Sequence, residues 1–493
     1  MLERRAFEPA SALHRARNLD AADEAVEAFW RHYRRRGEPA REAVEQLTAQ
    51  ALAADPGLAD HGTQRLFGGV VEPLCDAFSA CGAETYARVF TQVIMAARSY
   101  PQCTALDAAL EARSIFSERD LLAASTARIE TPGGAGAGGA PAALNPVRSI
   151  TVLSRLTLGA DVALVLPLLA RLRRQFPGAA LRFTGAEGAK RLVRGIPGIE
   201  HISAPYGRTD TLQARLNAWP ALCAAIAGSF ADDKGLDLVI DPDSRLTQLG
   251  LLPPVPASRY YRFPSRTYGG EGTRALSELI GDWLDASFGP GEATLPVLEL
   301  GADVARFKSV LRAALLKTLP KRIVSASFGV GGNERKRIGV ELEADLLEWI
   351  VECGSRVLLA RGTGLSELTQ NARLCRRLEH RGLSVLHLPR GRRLDSLEGS
   401  DADVVTWEAD LGAFLAAVGC ADMYLGYDSA GQHIAAALGV PTLSLFVESA
   451  GPRHGARWMP RGPAPIRVVR SSWPPDARRM LSAARSAFMA LSQ

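Results

Sequence analysis

Apolar side chains recur at spacings of three and four along the first 130 residues, which is the period of an amphipathic helix. The pattern is clear in AADEAVEAFWRHYRRR and in ETYARVFTQVIMAARSY. No stretch of this part alternates apolar and polar positions as a half-buried strand does. We therefore expect residues 1–130 to form an all-helical domain. A Gly/Ala/Pro-rich stretch over residues 131–147 follows and is typical of a linker.

From residue 148 the pattern changes to short apolar runs that alternate with helical stretches. RSITVLSRL, ALRFTG and LDLVIDPD indicate the strands of a first series, and RIVSASFGV, SRVLLARG, ADMYLGYD and TLSLF those of a second. Such strands are typical of parallel sheets that are covered on both faces. The pattern predicts two tandem doubly wound α/β domains that face a cleft, over residues 148–305 and 306–475. A final amphipathic helix, residues 476–493, is expected to pack across their junction.

The composition is that of a globular protein, with 47% hydrophobic and 23% charged residues, and 493 residues are too many for one core. No apolar run reaches the roughly 18 residues that cross a bilayer, and the N-terminus lacks the apolar stretch of a secretory signal. These observations predict a cytoplasmic protein. The seven cysteines are scattered without a C-x-x-C pair, which favours buried, reduced thiols.

Charge is spread unevenly over the chain. Residues 1–130 carry 15 Arg, no Lys and 19 acidic residues, whereas the whole chain has a net charge of +5, so the α/β part is basic and would suit an anionic ligand. The cluster RHYRRR could be a nucleic-acid or lipid patch, but at a helix end it is more often a solvated last turn. We expect no nucleic-acid partner. Contact with the inner face of a membrane and the oligomeric state both stay open.

The stretch GYDSAGQHIAAALGVPT contains the first candidate site. A strand ends at Asp428 and a helix begins within SAGQHIAAALG, so unpaired amides and the helix dipole would offer a site for an anion. Ser429, Ala430 and Gly431 are small enough to let a diphosphate approach the backbone. The alternative is that Asp428 or Ser429 is an ordinary helix cap and that His433 is a packed helix residue.

A glycine-rich loop forms the second candidate. SFGVGGNERKRI places Gly329, Gly331 and Gly332 before a run of cations that includes Lys336. Flexible backbone followed by cations could clamp a phosphate, although the Gly-Lys-Ser/Thr ending of a P-loop is missing. Because the chain has only six lysines against 52 arginines, Lys336 suggests a specific ammonium contact. A solvated basic loop is the alternative.

The third candidate is a carboxylate at the end of the first α/β strand. SRLTLGADVALVLP places Asp161 at the carboxyl edge of the sheet, where it could accept a proton from an incoming hydroxyl. The alternative is again a helix cap.

In their order and separation, these motifs resemble the heptosyltransferase-like family-nine glycosyltransferases, over residues 148–490 or roughly 70% of the chain. SRLTLGADVALVLPLLARLRRQFPGA, SFGVGGNERKRI and YDSAGQHIAAALGVPTLSLF carry the resemblance. The last is the most specific, because the family shows Asp-Ser/Thr-Gly, then His, then a small-residue helix that ends in Gly-x-Pro. The resemblance implies a GT-B fold, in which a Rossmann-like acceptor domain precedes a Rossmann-like nucleotide-sugar domain. The helical residues 1–130 have no counterpart in it.

The resemblance also implies roles for individual residues. Asp161 would be the general base, Lys336 would contact the donor phosphates, and Glu367 would bind the ribose. The remaining residues of the nucleotide-sugar site would frame the diphosphate, and they are Gly331, Gly332, Asp428, Ser429, Ala430, Gly431 and His433.

The implied reaction is an inverting transfer of a sugar, such as heptose, from a nucleotide-diphosphate sugar to a hydroxyl of a glycan or glycolipid. The carboxylate would deprotonate the attacking hydroxyl while helix amides and Lys336 stabilise the leaving diphosphate. One direct displacement inverts the anomeric centre, so no covalent intermediate, cofactor or metal is expected. For heptosyltransferases of this family the donor is ADP-heptose and the acceptor a lipopolysaccharide core, which would place the protein in cell-envelope synthesis.

Two departures from the family pattern support a different hypothesis. The family usually reads Leu-Gly-Asp where this chain has an inserted Ala160, and Gly directly after Asp-Ser where it has Ala430. The chain could therefore bind a nucleotide sugar or a partner through a decayed site, without catalysis. An Asp161 that faces the helix after Ser429 across an open cleft would favour catalysis, and an Asp161 turned into the core would favour binding alone.

The loop IDPDSRLTQLG offers one further alternative. Asp241 and Asp243 form a D-x-D pair, which could hold a divalent metal ion in a transferase of another fold. Because the pair ends a strand of the first α/β series, we instead expect Asp243, Arg245 and Gln248 to line the acceptor side or to cap the next helix.

Overall fold

The structure, a computed structural model, describes residues 9–126, 147–207, 210–229, 236–318, 321–331, 333–362, 364–388, 394–397, 399–448 and 452–492. All of the predicted linker except Val147 lies outside these residues, as does Gly332.

The N-terminal part is all-helical throughout residues 9–126, as the spacing of its apolar residues predicts. Asp55 and Ser79 cap two of its helices, because their side chains accept hydrogen bonds from the backbone amides of Leu58 and Gly82. A π-helical turn, Arg65–Val71, joins the third helix to the fourth. The helices are α1 (Pro9–Arg36), α2 (Arg41–Ala51), α3 (Pro56–Gln64), α4 (Glu72–Asp76), α5 (Ala80–Ala97), α6 (Thr104–Glu111) and α7 (Glu118–Thr126).

The first α/β series begins at Val147, where the texture of the sequence changes. Its elements are β1 (Val147–Leu153), α8 (Leu158–Ala160), α9 (Leu166–Gln175), β2 (Ala180–Gly185), α10 (Lys190–Val193), β3 (Ile199–Ser203), α11 (Leu212–Ser229), β4 (Leu236–Asp241), β5 (Tyr260–Arg262) and α12 (Leu276–Phe288). A π-helical segment, Asp161–Val165, joins α8 to α9, and the amide of Leu166 donates to the carbonyl of Asp161. A π turn accommodates one extra residue, which fits the insertion of Ala160.

In the second α/β series, strands and helices alternate over a longer part of the chain. Its elements are α13 (Ala302–Thr318), β6 (Arg322–Ser327), α14 (Val340–Glu352), β7 (Ser355–Ala360), α15 (Leu365–His380), β8 (Val385–Leu388), β9 (Val404–Trp407), α16 (Leu411–Gly419), β10 (Met423–Tyr427), α17 (Ala430–Ala437), β11 (Thr442–Glu448), α18 (Pro452–Arg457), β12 (Ile466–Ser472) and α19 (Ala477–Ser492).

Two parallel sheets organise these elements and confirm the predicted two-sheet α/β fold. The first has five strands in the order β3-β2-β1-β4-β5, and the second has seven in the order β12-β11-β10-β6-β7-β9-β8. β1 runs parallel to β4 with Ile150 opposite Leu238, and β6 runs parallel to β10 with Ser327 opposite Gly426. The carboxyl ends of β6 and β10 therefore lie side by side, and the loops after them meet at one sheet edge.

The chain forms two compact units, each with its own packing. The first contains residues 1–156, 184–186 and 202–272, and in it α11 shares one apolar core with the N-terminal helices through Leu216 and Trp219. The second contains residues 157–183, 187–201 and 273–493. In this second unit α19 adds Met480, Ala484 and Phe488 to the core beside the seven-stranded sheet.

Among the described residues, no helix is both long enough and apolar enough to cross a membrane. All seven cysteines are free thiols, as expected, but Cys81 and Cys353 are exposed rather than buried. Both lie near helix ends, where the chain meets solvent.

Candidate functional site

The turn between β10 and α17 is the centre of the candidate site in the second unit. All five residues of β10 are buried, and the strand delivers Asp428 directly to the edge of the sheet. Ser429 occupies the N-cap position of α17, but its side chain makes no capping hydrogen bond. The first amides of the helix therefore lack the side-chain acceptor that an ordinary cap would supply.

Asp428 is the hub of the polar contacts at this turn. Its Oδ2 atom lies 2.8 Å from Nζ of Lys336 and 3.5 Å from Nε2 of His454, and its Oδ1 atom accepts a hydrogen bond of 2.9 Å from Nε2 of Gln432. Burial alone would raise the pKa of this carboxyl, but the Lys336 ammonium and His454 outweigh burial and hold the pKa well below its usual range. Asp428 is therefore an ionised carboxylate whose charge is balanced locally.

Gln432 and His433 extend this network along α17. Gln432 is fully buried and accepts a hydrogen bond from the hydroxyl of Ser444 on β11. Its Nε2 atom lies 3.4 Å from Nε2 of His433, whose ring packs edge-on against Trp458 with centroids 6.1 Å apart. Burial, with a smaller effect from Lys336, lowers the pKa of His433 to about 4, although Asp428 opposes this shift. His433 is thus a neutral hydrogen-bonding group at pH 7.

Contacts of Asn333 and Arg337 hold Lys336 in position in the glycine-rich loop. Lys336 ends a 3-10 turn, Glu334–Lys336, in which the amide of Arg335 donates a hydrogen bond to the side chain of Asn333. Arg337 pairs with Glu334 at 2.8 Å and with Glu343 at 3.4 Å. The basic residues of this loop therefore differ in role. Arg337 holds the loop in place, and Lys336 contacts Asp428.

A second tie fixes the same loop to the end of β10. The amide of Ile338 donates to the hydroxyl of Tyr427 at 3.1 Å, and that hydroxyl donates to Glu343 on α14 at 2.5 Å. Burial raises the pKa of Glu343, while Tyr427 and Arg337 act in the opposite direction. Because Tyr427 directly precedes Asp428, this contact sets the distance between Lys336 and the turn.

Close packing explains part of the small-residue pattern. A Cβ atom on Gly431 would lie 1.9 Å from the hydroxyl oxygen of Tyr424, and one on Gly426 would lie 2.4 Å from the same atom. Both positions need glycine because Tyr424 fills the space beside them. Packing against Tyr424 is therefore enough to explain Gly431, without the predicted approach of a diphosphate.

The segment that begins at Gly159 packs on the N-terminus of α17. A Cβ atom on Gly159 would lie 3.0 Å from Cα of Ala430 and 3.1 Å from Cδ2 of His433. The π-helical segment that starts at Asp161 also contacts α17, and with the contact of Lys336 to Asp428 all three sequence motifs meet here. Asp161 itself is only 1% exposed.

Glu367 lies in the first turn of α15, beside the ends of β6 and β7. Cβ atoms on Gly329 and Gly362 would lie 2.9 Å and 2.4 Å from its two carboxylate oxygens, so both glycines leave room for this side chain. The hydroxyl of Ser366 donates to Glu334 at 2.9 Å, which links α15 to the loop of Lys336. The structure thus places Glu367 on the same sheet edge as Lys336.

The residues expected on the acceptor side lie in the first unit, after β4. Asp243 is buried and ion-paired with Arg262 at 2.7 Å, and the hydroxyl of Ser265 donates to it at 2.7 Å. Burial would raise the pKa of Asp243, but Arg262, Arg155 and Arg266 together lower it to about 2.

Asp241, the other carboxylate of the D-x-D pair, also has hydrogen-bond partners within the protein. Asp241 accepts hydrogen bonds of 2.5 Å from the hydroxyls of Thr247 and Tyr260. No group of three or more His, Cys, Asp or Glu side chains that could hold a metal ion occurs in the described part of the chain. Both carboxylates therefore act as internal hydrogen-bond acceptors in this structure.

The sequence motifs do not include four residues of these networks, namely Gln432, His454, Tyr427 and Glu343. Gln432 had a detectable signal, because it lies four residues after Asp428 on the same helix, where side chains meet. Glu343 and His454 had none, since each is brought to the turn by a separate element.

The described fold is similar to that of known glycosyltransferases. The glycosyl transferase family 9 structure from Veillonella parvula has a TM-score of 0.52 and 16% identity over 70% of this chain and 97% of that one. E. coli ADP-heptose lps heptosyltransferase II (TM-score 0.47, 15% identity) and E. coli heptosyltransferase WaaC with ADP-2-deoxy-2-fluoro heptose (0.47, 14%) each match 70% of this chain and all of their own.

No protein-family model matches the chain, and no curated protein matches it in sequence. The first of these likenesses confirms the predicted GT-B fold and its resemblance to family nine at the level of the fold. The uncovered share of the chain is close in size to the N-terminal helical part.

Proposed function

We propose that the protein is a glycosyltransferase that moves a sugar from a nucleotide-diphosphate sugar to a hydroxyl of a glycan or glycolipid, with inversion. The observation that carries the proposal is the position of the Lys336 ammonium, 2.8 Å from Asp428 at the uncapped start of α17. A cation and a set of free helix amides at one point suit a leaving group that gains negative charge.

Lys336 can contact a phosphate without giving up its ion pair. An ammonium group has three N–H donors, and among the described residues only the carboxylate and the backbone carbonyl of Asp428 accept from it. The third donor is available for a phosphate oxygen. Asp428 then acts as a positioning residue that holds Lys336 and Gln432, while the helix amides and Lys336 share the diphosphate charge.

Glu367 is proposed to bind the ribose of the donor. It lies at the adjacent strand ends, where a carboxylate accepts hydrogen bonds from sugar hydroxyls. Because the E. coli structures described above concern ADP-heptose and an ADP-heptose analogue, ADP-heptose is the first donor to test here. The corresponding acceptor would be a lipopolysaccharide core on the cytoplasmic side of a membrane.

Asp161 is proposed as the general base that deprotonates the acceptor hydroxyl. The packing of its segment on α17 supports this role. Because the side chain is almost fully buried, an acceptor reaches it only after the surrounding segments separate.

That burial supports a second candidate function, in which the protein binds a nucleotide sugar without transferring it. The D161N variant separates the two, because Asn has the shape of Asp but cannot accept a proton. The assay follows release of nucleoside diphosphate in the presence of a hydroxyl acceptor, together with donor binding.

We expect the Asp161→Asn variant to bind the donor like the wild type and to release nucleoside diphosphate roughly a hundredfold more slowly. The matched control is Asp303→Asn, which changes a partly exposed carboxylate of the same unit. A wild type that binds donor but releases nothing with any acceptor would support the binding function. Equal rates in the wild type and Asp161→Asn would remove Asp161 from the mechanism.

A further inference from the structure

A second polar site lies inside the first unit, where the N-terminal helices contact the five-stranded sheet. We call it the junction pocket and define it by Tyr86 on α5, Tyr206 after β3, and Arg245 and Gln248 after β4. The surrounding apolar core is continuous, since α11 and the N-terminal helices share it. The position of the pocket is therefore fixed by packing rather than by a loop alone.

Arg245 is the charged centre of the junction pocket. One guanidinium nitrogen donates to Sγ of Cys75 at 3.6 Å, and the guanidinium carbon lies 5.5 Å from the ring centroid of Tyr86 and 5.9 Å from that of Phe67. Burial raises the pKa of the Cys75 thiol, so this contact is to a neutral, weakly accepting sulfur.

Arg245 also lacks the partner that its neighbours have. Among the described residues no carboxylate lies within ion-pair distance of it, and its second terminal nitrogen is buried without a hydrogen-bond partner. Arg262 and Arg266, by contrast, lie 2.7 Å and 3.6 Å from the carboxylate of Asp243. A buried guanidinium without an anion is unfavourable, because it loses hydration and gains no compensating charge.

Three more side chains of the pocket are buried and make no hydrogen bond of good geometry. Tyr86, Tyr206 and Gln248 are 3%, 6% and 1% exposed, and neither hydroxyl nor either atom of the carboxamide makes a hydrogen bond of good geometry. Gln248 nevertheless lies beside Tyr206, and a weak hydrogen bond of poor geometry between them slightly opposes the rise in the pKa of Tyr206. Burial raises the pKa of both tyrosines, so both hydroxyls keep their protons and can donate.

Buried polar groups in folded proteins are nearly always hydrogen-bonded, so a cluster of unpaired donors around an unpaired cation indicates a ligand. We propose that the junction pocket binds an oxyanion, that is, a phosphate or carboxylate group, through Arg245, Gln248 and the hydroxyls of Tyr86 and Tyr206. The guanidinium of Arg215, 4.1 Å from the ring of Phe67, adds positive charge nearby. This site does not depend on the proposed transferase activity.

The helical part of the chain supplies Tyr86 to the pocket, and its residues Cys75 and Phe67 contact Arg245. The site thus gives these helices a role in binding an anionic group. That group is either a free inorganic anion or part of an anionic carbohydrate.

The test is a thermal-shift titration with inorganic phosphate at constant ionic strength. It uses the full chain in a Lys336→Ala background, so that phosphate at α17 does not contribute. The test variant is Arg245→Met and the matched control is Arg113→Met. Arg113 likewise lies over an aromatic ring, 4.8 Å from that of Trp219, and likewise donates to a cysteine, Cys223, at 3.2 Å.

We expect phosphate to raise the melting temperature of the parent and of Arg113→Met, with an apparent Kd at least roughly tenfold weaker in Arg245→Met. Equal phosphate responses in Arg245→Met and Arg113→Met would overturn the proposal. If Arg245→Met does not fold, Tyr86→Phe decides, because it removes only a hydroxyl that has no partner. A Tyr86→Phe protein with an unchanged phosphate response would also overturn it.

Glucose 6-phosphate and glucose identify the source of the anion. Tighter binding of glucose 6-phosphate than of phosphate, with no response to glucose, supports an anionic carbohydrate as the natural ligand. Equal binding of the two phosphates supports a free anion. A response to glucose that survives in Arg245→Met would contradict a site for oxyanions.

Discussion

Nζ of Lys336 lies 2.8 Å from Oδ2 of Asp428 and 3.1 Å from its backbone carbonyl, although 92 residues separate the two in the chain. The contact joins the loops after β6 and β10, which are neighbours in the sheet. It places a cation at the start of a helix whose first amides have no side-chain cap. The proposed donor site depends on this ion pair.

The first prediction concerns the neutral state of His433. Its pKa is lowered to about 4 in the folded protein, against 6.5 for the unperturbed group, so the unfolded chain binds more protons between these values. Protonation therefore favours unfolding, and stability is full above pH 6.5 and declines as the pH falls towards 4. We expect a His433→Gln variant to lack this decline, which amounts to at most roughly 3 kcal/mol.

The measurement is urea unfolding of wild type and His433→Gln at several pH values from 7.5 to 4.5. His387→Gln is the control, because that histidine is exposed and pairs with Glu379 at 3.9 Å. Parallel stability curves for the wild type and His433→Gln over this range would contradict the buried, neutral imidazole.

The second prediction concerns Gly431 and Tyr424. In an open helix, Gly431→Ala would stabilise by about 1 kcal/mol through helix propensity. Here the new Cβ atom would lie 1.9 Å from the tyrosine hydroxyl, and overpacking of this kind costs about 1–3 kcal/mol, so the substitution should destabilise.

Tyr424→Phe should recover part of that loss. The hydroxyl is buried and makes no hydrogen bond of good geometry, so its removal alone should leave stability unchanged or raised. Unfolding of the two single variants and the double variant gives the coupling between the sites. Additive effects would show that the clash does not determine the need for glycine at 431.

The third prediction separates ribose binding from catalysis at Glu367. If its carboxylate accepts hydrogen bonds from the ribose, Glu367→Gln should raise the KM for the nucleotide sugar by roughly tenfold and change kcat little. Glu379→Gln, on the same helix but at its far end, is the control. A drop in kcat with unchanged KM would assign Glu367 to the reaction itself.

The fold was predictable because its signals are local. Apolar residues at helical spacing up to residue 126 and short apolar strands after residue 147 each follow from the period of one element. Parallel pairing then follows from the alternation of strands and helices. The π-helical segment at Asp161 was not predicted, because the period of the apolar residues does not distinguish it from an α-helix.

Only those site residues were predictable that lie together in one short stretch of sequence after a strand. DSAG at the start of α17 and the glycine-rich loop of Lys336 both lie after strands, and parallel strands end at one edge. The ties that hold them, from Tyr427 to Glu343 and from His454 to Asp428, join distant parts of the chain and leave no local pattern. The sequence predicts that Gly431 is small so that a ligand can approach the backbone, because nothing in the sequence shows that Tyr424 packs against it.

The residues predicted on the acceptor side also depend on contacts that the sequence does not show. Asp243, Arg245 and Gln248 lie in one loop after β4, and their sequence proximity predicts one shared role. In the structure Asp243 is paired with Arg262, whereas Arg245 lacks such a partner and contacts residues of the N-terminal helices. Which member of a polar cluster is already paired depends on long-range packing.

The most direct test of the central claim is calorimetric titration of ADP, GDP, UDP and dTDP into wild type, Lys336→Ala and Lys321→Ala. The control also removes a lysine that pairs with an aspartate of the same unit, Asp403, at 3.8 Å. We expect one nucleoside diphosphate to bind the wild type and Lys321→Ala equally, and Lys336→Ala roughly a hundredfold more weakly. Equal binding to all three proteins would contradict the assignment of Lys336 and the start of α17 as the diphosphate site.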